Sequence, residues 1–230
     1  MGLGKWMAGN AEKASYVTSI SVGMMTLVGG ILVAMIFYEL PFSFLTVQIS
    51  ALGVQSNNPI GADIFTICFV VSGVLFCLHA AYYYKLFRPD VKIVSGASAA
   101  FIFMSGVGTL LVGIVPPDVN YPIHIGAAIA AIGGTYMSGL LSLLPVGKKL
   151  ARKAEWPRPG HVLVLYGALC AIALATIILV GIPVGTGFLA GTFQRGNFPA
   201  VWPLCEWLLL SCSMFWSCGI VYTAPKQLEI

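Results

Sequence analysis

Residues 93–144 read IVSGASAAFIFMSGVGTLLVGIVPPDVNYPIHIGAAIAAIGGTYMSGLLSLL. Two apolar runs flank one short polar turn. An α-helix rises about 1.5 Å per residue, so about 20 apolar residues cross roughly 30 Å of hydrocarbon. Both runs reach that length, so the stretch reads as a membrane helical hairpin. Its turn, VPPDVNYPIH (115–124), carries an acid, Asp118, and then a histidine, His124, where lipid would normally begin. Pro116 and Pro117 end the first helix, because proline lacks the amide donor and restricts the residue before it. Pro122 falls in the first turn of the next helix, where a missing N–H costs nothing.

Working outward, the chain holds six such runs: Ser15–Tyr38, Ala62–Tyr84, Ile93–Val115, Ile123–Leu144, His161–Val184 and Pro203–Tyr222. Of 230 residues, 58% are hydrophobic and 9% charged, with mean hydropathy +0.91. A soluble domain carries roughly 25% charged residues. The runs are continuous rather than alternating, which disfavours a β-barrel. The expected fold is an all-α integral membrane bundle of six helices forming a single domain, 1–230. The first run lacks the small-residue cleavage site and polar mature region of a removable signal peptide. Trp6 stands where a myristoylation signal needs Ser or Thr.

Lys and Arg set the orientation. With the N-terminus inside, inner segments hold Lys5, Lys13, Lys85, Arg88, Lys92, Lys148, Lys149, Arg152, Lys153, Arg158 and Lys226, and outer loops hold Arg195 alone. This positive-inside bias predicts both termini on the cytoplasmic side, and it applies equally to plasma, bacterial and organellar membranes. The net charge of +4 then reflects topology and anionic lipid, not nucleic acid. All six cysteines (68, 77, 170, 205, 212 and 218) fall inside predicted spans, and none forms a CxxC pair. A redox motif or metal ribbon is thereby excluded on spacing. The outer loops carry no glycosylation sequon.

Segment 39–63, ELPFSFLTVQISALGVQSNNPIGAD, is too long for a turn and too apolar for a solvated loop. It reads as a partly helical or re-entrant piece at the outer interface. The Gly-rich aromatic loop 185–202 suits a lid over the same face, and the basic loop GKKLARKAEWPRPG suits acidic lipid. Gly126, Ala130, Gly134 and Ser138 recur every four residues, a stripe that permits close helix approach. Ser213 and Ser217 each fall within about 20° of Glu206 on a helical wheel, which turns Glu206 into the bundle.

Placed by depth, Glu39, Asp63, Asp118, His124 and Glu206 all lie toward the outer face, with Arg195 as the sole cation there. Several readings of this cluster stand open. Glu206 could hydrogen-bond Ser50, Asn57 or His124 and pin the outer loop, the group could receive a lipid head group or cation, or it could contact a partner protein. One histidine with carboxylates falls short of the usual zinc sets, so no metal is expected. A serine hydrolase would use Ser50 with His124 and an acid, although no GxSxG elbow occurs. His79 and His161, near the inner face, could bind haem axially, or serve as ordinary interfacial residues beside Tyr82, Tyr83 and Tyr84. The residues identify no cofactor.

The elements ISALGVQSNNP before the second run, PPDVNYPIH into the fourth and CEW at the head of the last occur in this order. In them the chain resembles the six-span Frag/DRAM membrane family and the prokaryotic domain-of-unknown-function family numbered 998. The resemblance falls on Ser50, Gly53, Asn58, Pro59, Asp118, His124 and Glu206. This chain has Ala51 and Leu52 where the Frag/DRAM pattern places an acid soon after the serine. The resemblance implies a lipid-related role, since eukaryotic members are linked to lipid-anchor remodelling, lysosomal membranes and plasma-membrane lipid organisation.

Together these readings predict a polar pocket under the outer leaflet built from Ser50, Asn58, Asp118, His124 and Glu206. The leading expectation is a lipid-binding or membrane-organising protein. The alternatives are a non-catalytic accessory subunit of a larger membrane complex and an intramembrane lipid hydrolase. Expected partners are membrane lipids, or other membrane subunits.

Overall fold

The computed structural model describes residues 12–88, 91–151 and 202–223, together with the isolated Gly4 and Gly167. The described residues form five long helices and no strand: α1 (Lys13–Ile36), α2 (Pro59–Phe87), α3 (Lys92–Ile114), α4 (Tyr121–Ala151) and α5 (Trp202–Thr223). One short 3-10 helix, Ile49–Gly53, lies in the long connection between α1 and α2. The fifth expected run (161–184), His161, Arg195 and nearly all of loop 185–202 lie outside the described residues, as does the basic loop beyond 151.

Helices α1 to α4 are each long and apolar enough to cross a membrane. Their outward faces carry large apolar side chains such as Met25, Ile67, Ile93 and Ile129. Contiguous apolar exposure of this kind is rare on soluble proteins and suits lipid contact. The chain is an integral membrane protein.

Successive helices pack antiparallel, and small residues set the pairing. Between α1 and α2, Gly23 accepts a hydrogen bond from Ser72 at 2.8 Å and Gly30 sits against Cys68. Between α2 and α3, a Cβ on Gly73 would stand 2.7 Å from the Gly106 carbonyl, and one on Gly106 would stand 2.9 Å from that of Gly73. Between α3 and α4, Gly108 abuts the backbone of Ala127 and Ala131, and Ser98 and Ser138 share a 2.6 Å hydrogen bond. Helix α5 closes the bundle against α1 and α4. Lys13, Lys85, Arg88, Lys92 and Lys148 therefore gather at one end, while Glu39, Asp63, Asp118 and Glu206 gather at the other.

Three expectations need correction. The four-residue stripe on α4 faces α3 at Ala130, Gly134 and Ser138 but not at its outer end, where Gly126 is exposed with nothing near it. Steps of four advance 400° around the axis, so a stripe drifts 40° at each step and leaves the contact. The helix does not stop at Leu144 but runs through Pro145 to Ala151. His79, Tyr82 and Tyr83 are not interfacial side chains; all three are buried in the core between α1, α2 and α5. Depth along a helix says nothing about which way a side chain faces.

Candidate functional site

The site begins with an acid that needs donors. Three of the carboxylates at the acidic end, Glu39, Asp63 and Asp118, are exposed. Water solvates them, and Gln55 adds a 2.6 Å hydrogen bond to Asp63. Glu206, in the second turn of α5, instead turns inward. The Ile49 amide donates to its Oε2 at 3.1 Å, and the Ser50 amide and hydroxyl are further donors. Ile49 and Ser50 open the 3-10 helix, whose first N–H groups have no partner within the helix. Glu206 is thus a capping anion supplied from 157 residues away in the chain.

The neighbouring Trp207 completes the attachment. Its Nε1–H donates to the Val47 carbonyl at 3.0 Å, and its ring meets Phe42 and Phe44 edge-on at 6.0 and 5.0 Å. Sequence reasoning missed Trp207, although it is the last residue of CEW. Together the two side chains hold residues 42–50 across the end of the bundle. Of the partners expected for Glu206, Ser50 is the one the structure supplies.

His124 sits on the first turn of α4, anchored by Asn120, whose side chain accepts from the Ile123 amide at 3.2 Å. The His124 Nδ1 lies 2.7 Å from the Val115 carbonyl, the oxygen left over at the C-terminal end of α3. A carbonyl only accepts, so Nδ1 carries the proton, and in the neutral ring Nε2 is left as an acceptor. The pair of prolines that ends α3 therefore creates the carbonyl that orients the histidine.

Ser50, His124 and Glu206 line one cavity of about 40 Å³, with Phe65, Phe69 and Thr109 among its walls. That volume holds a few waters, since one water needs roughly 10–15 Å³ measured this way. Among the described residues no Lys or Arg lines it. The other two expected pocket residues stand elsewhere. Asn58 is fully buried, and its Nδ2 donates to the carbonyls of Ala34 and Leu52, both at 2.9 Å. It ties the end of α1 to the 3-10 helix. Asp118 is exposed on the turn outside the cavity, where its charge acts on His124 through space. Among the described residues, no three His, Cys, Asp or Glu side chains come together as a metal site.

Compared with family models, curated proteins and solved structures, the chain matches none. The chemistry of the site therefore has to be argued from its own geometry.

Proposed function

We propose that this chain is a six-span membrane protein, with both termini on the cytoplasmic side, that handles lipid at its outer face in the manner of the Frag/DRAM-like proteins it resembles. The observation that carries this reading is the convergence of Ser50, His124 and Glu206 on one cavity beneath an apolar loop. The loop presents Leu40, Phe44 and Leu45 outward. Apolar and aromatic side chains at this level suit the acyl–headgroup boundary. A carboxylate, a neutral imidazole acceptor and a hydroxyl favour a head group that donates hydrogen bonds or carries positive charge, such as an amine, a choline or a sugar.

As it stands the cavity admits water only, so a head group enters when residues 42–50 lift from Glu206 and Trp207. Native mass spectrometry of gently extracted protein tests this. The wild type is expected to carry a lipid adduct that is lost in His124→Ala and Glu206→Gln at unchanged fold. Adducts retained in both variants would reduce the cavity to a structural lock. A second protein chain at fixed ratio would favour the accessory-subunit role.

A further inference from the structure

The cavity under the loop is not isolated. A second cavity, also about 40 Å³, lies deeper in the bundle, and the two share Thr109, Ala131, Ile132 and Leu210 as walls. The deeper one is lined by Ser105, Thr135, Ser213, Ser217 and His79. From Glu206 to Ser217 is about 16 Å along α5, at about 1.5 Å per residue, or half the hydrocarbon thickness. Ser105 and Thr135 are 2.7 Å apart across α3 and α4, and Thr109 donates to the Ser105 carbonyl at 2.9 Å. At the shared wall three of the four side chains are apolar, and Thr109 alone offers a hydroxyl.

His79 sits at the deep end. Its Nδ1 lies 2.7 Å from the Leu75 carbonyl and its Nε2 lies 3.2 Å from that of Tyr16. Both carbonyls are acceptors, so only the doubly protonated ring donates to both. Beyond it the bundle is sealed by fully buried rings, with Tyr16 and Tyr82 at 4.4 Å and Tyr83 and Trp216 at 5.7 Å. The titratable groups in this packing are the phenols of Tyr16, Tyr82, Tyr83 and Tyr136 and the Cys212 thiol, with no charged side chain among the described lining residues.

We propose that the bundle interior is a gated proton path, running from the Glu206–His124 cavity past Thr109 to His79 and closed at its far end by the Tyr16–Tyr82–Tyr83 rings. A proton taken from water at the outer end passes between water and hydroxyl oxygens and is held as the second N–H of the His79 ring. It leaves by the same oxygens, or past the rings when they part. This is a second activity, independent of whether a lipid head group binds.

The test is proton flux into phosphatidylcholine–phosphatidylglycerol vesicles holding the purified chain and an internal pH dye, with a potassium gradient and valinomycin setting the voltage. Tyr82→Ala, which opens the seal, is expected to conduct above empty vesicles, and adding Thr109→Val is expected to return flux to the empty-vesicle level. Equal flux with and without Thr109→Val, or no flux from folded Tyr82→Ala protein, overturns the path. Should Tyr82→Ala fail to fold, exchange of the His79 ring N–H with water, read by nitrogen-15 NMR in nanodiscs, replaces it. Exchange slowed by Thr109→Val supports the path, and exchange indifferent to it overturns the path.

Discussion

Glu206 and Asn58 show what one buried polar side chain does at the end of this bundle. The Glu206 carboxylate accepts from the Ile49 amide and from Ser50. In Glu206→Gln an amide –NH2, a donor, replaces one acceptor oxygen, so a donor on the 3-10 helix loses its partner. Unpaired groups of this sort cost about 1–3 kcal/mol. The variant is expected to melt lower in detergent and to be cut faster by protease within residues 42–50. An unchanged melting point and cutting rate would show that the loop is held by other contacts. Asn58 yields a sharper contrast. Its Nδ2 is the donor to both Ala34 and Leu52. Asn58→Ala is expected to lose about 1–3 kcal/mol, and the nearly isosteric Asn58→Asp more, because its carboxylate would face two carbonyls. Unfolding of the two variants side by side decides it, and an Asp variant as stable as Ala would contradict the assignment.

Among the elements, glycine makes the closest helix crossings. On Gly106 a Cβ would stand 2.5 Å from the Cys77 amide nitrogen, which is backbone and cannot rotate away. Gly106→Ala is expected to destabilise the α2–α3 pair by about 1–3 kcal/mol, the usual cost of overpacking. Gly126 has nothing within 4 Å. Gly126→Ala is expected to cost nothing, since alanine is favoured over glycine in a helix by about 0.5–1 kcal/mol. Comparing the two variants by thermal unfolding in one detergent checks both. The sequence makes these glycines look alike. Four-residue spacing marks helix faces that allow close approach, but the neighbour arrives at one rotation only, and that rotation belongs to the pairing.

For the whole molecule, separation of charge predicts topology. Asp63 and Lys92 stand at opposite ends of the bundle, and the expected six-span arrangement puts Arg195 on the side of Asp63. In a cysteine-free background, Asp63→Cys and Arg195→Cys are expected to react with a membrane-impermeant maleimide from outside. Lys92→Cys is expected to react only after the membrane is opened. Labelling of Arg195→Cys from the Lys92 side would remove one crossing from the expected topology.

Membrane class, the four described spans and the sorting of basic and acidic residues to opposite ends were all legible in the sequence. Hydropathy and charge sum along the chain, and a 20-residue run carries them without reference to any neighbour. The inward turn of Glu206 was legible too, because Ser213 and Ser217 share its helical face. Its donors were not, since Ile49 and Ser50 lie far away in the chain and meet it only when α5 closes the bundle. Asp118 and Glu206 looked equivalent by depth, yet one is in water and the other under the loop. His79 looked interfacial, yet it is buried and lines an interior cavity with hydroxyls from three other helices. Depth is set by position along one helix, whereas burial is set by rotation and by which helices become neighbours. Those two quantities arise only from packing, so the tertiary structure alone decided which polar residues share a cavity.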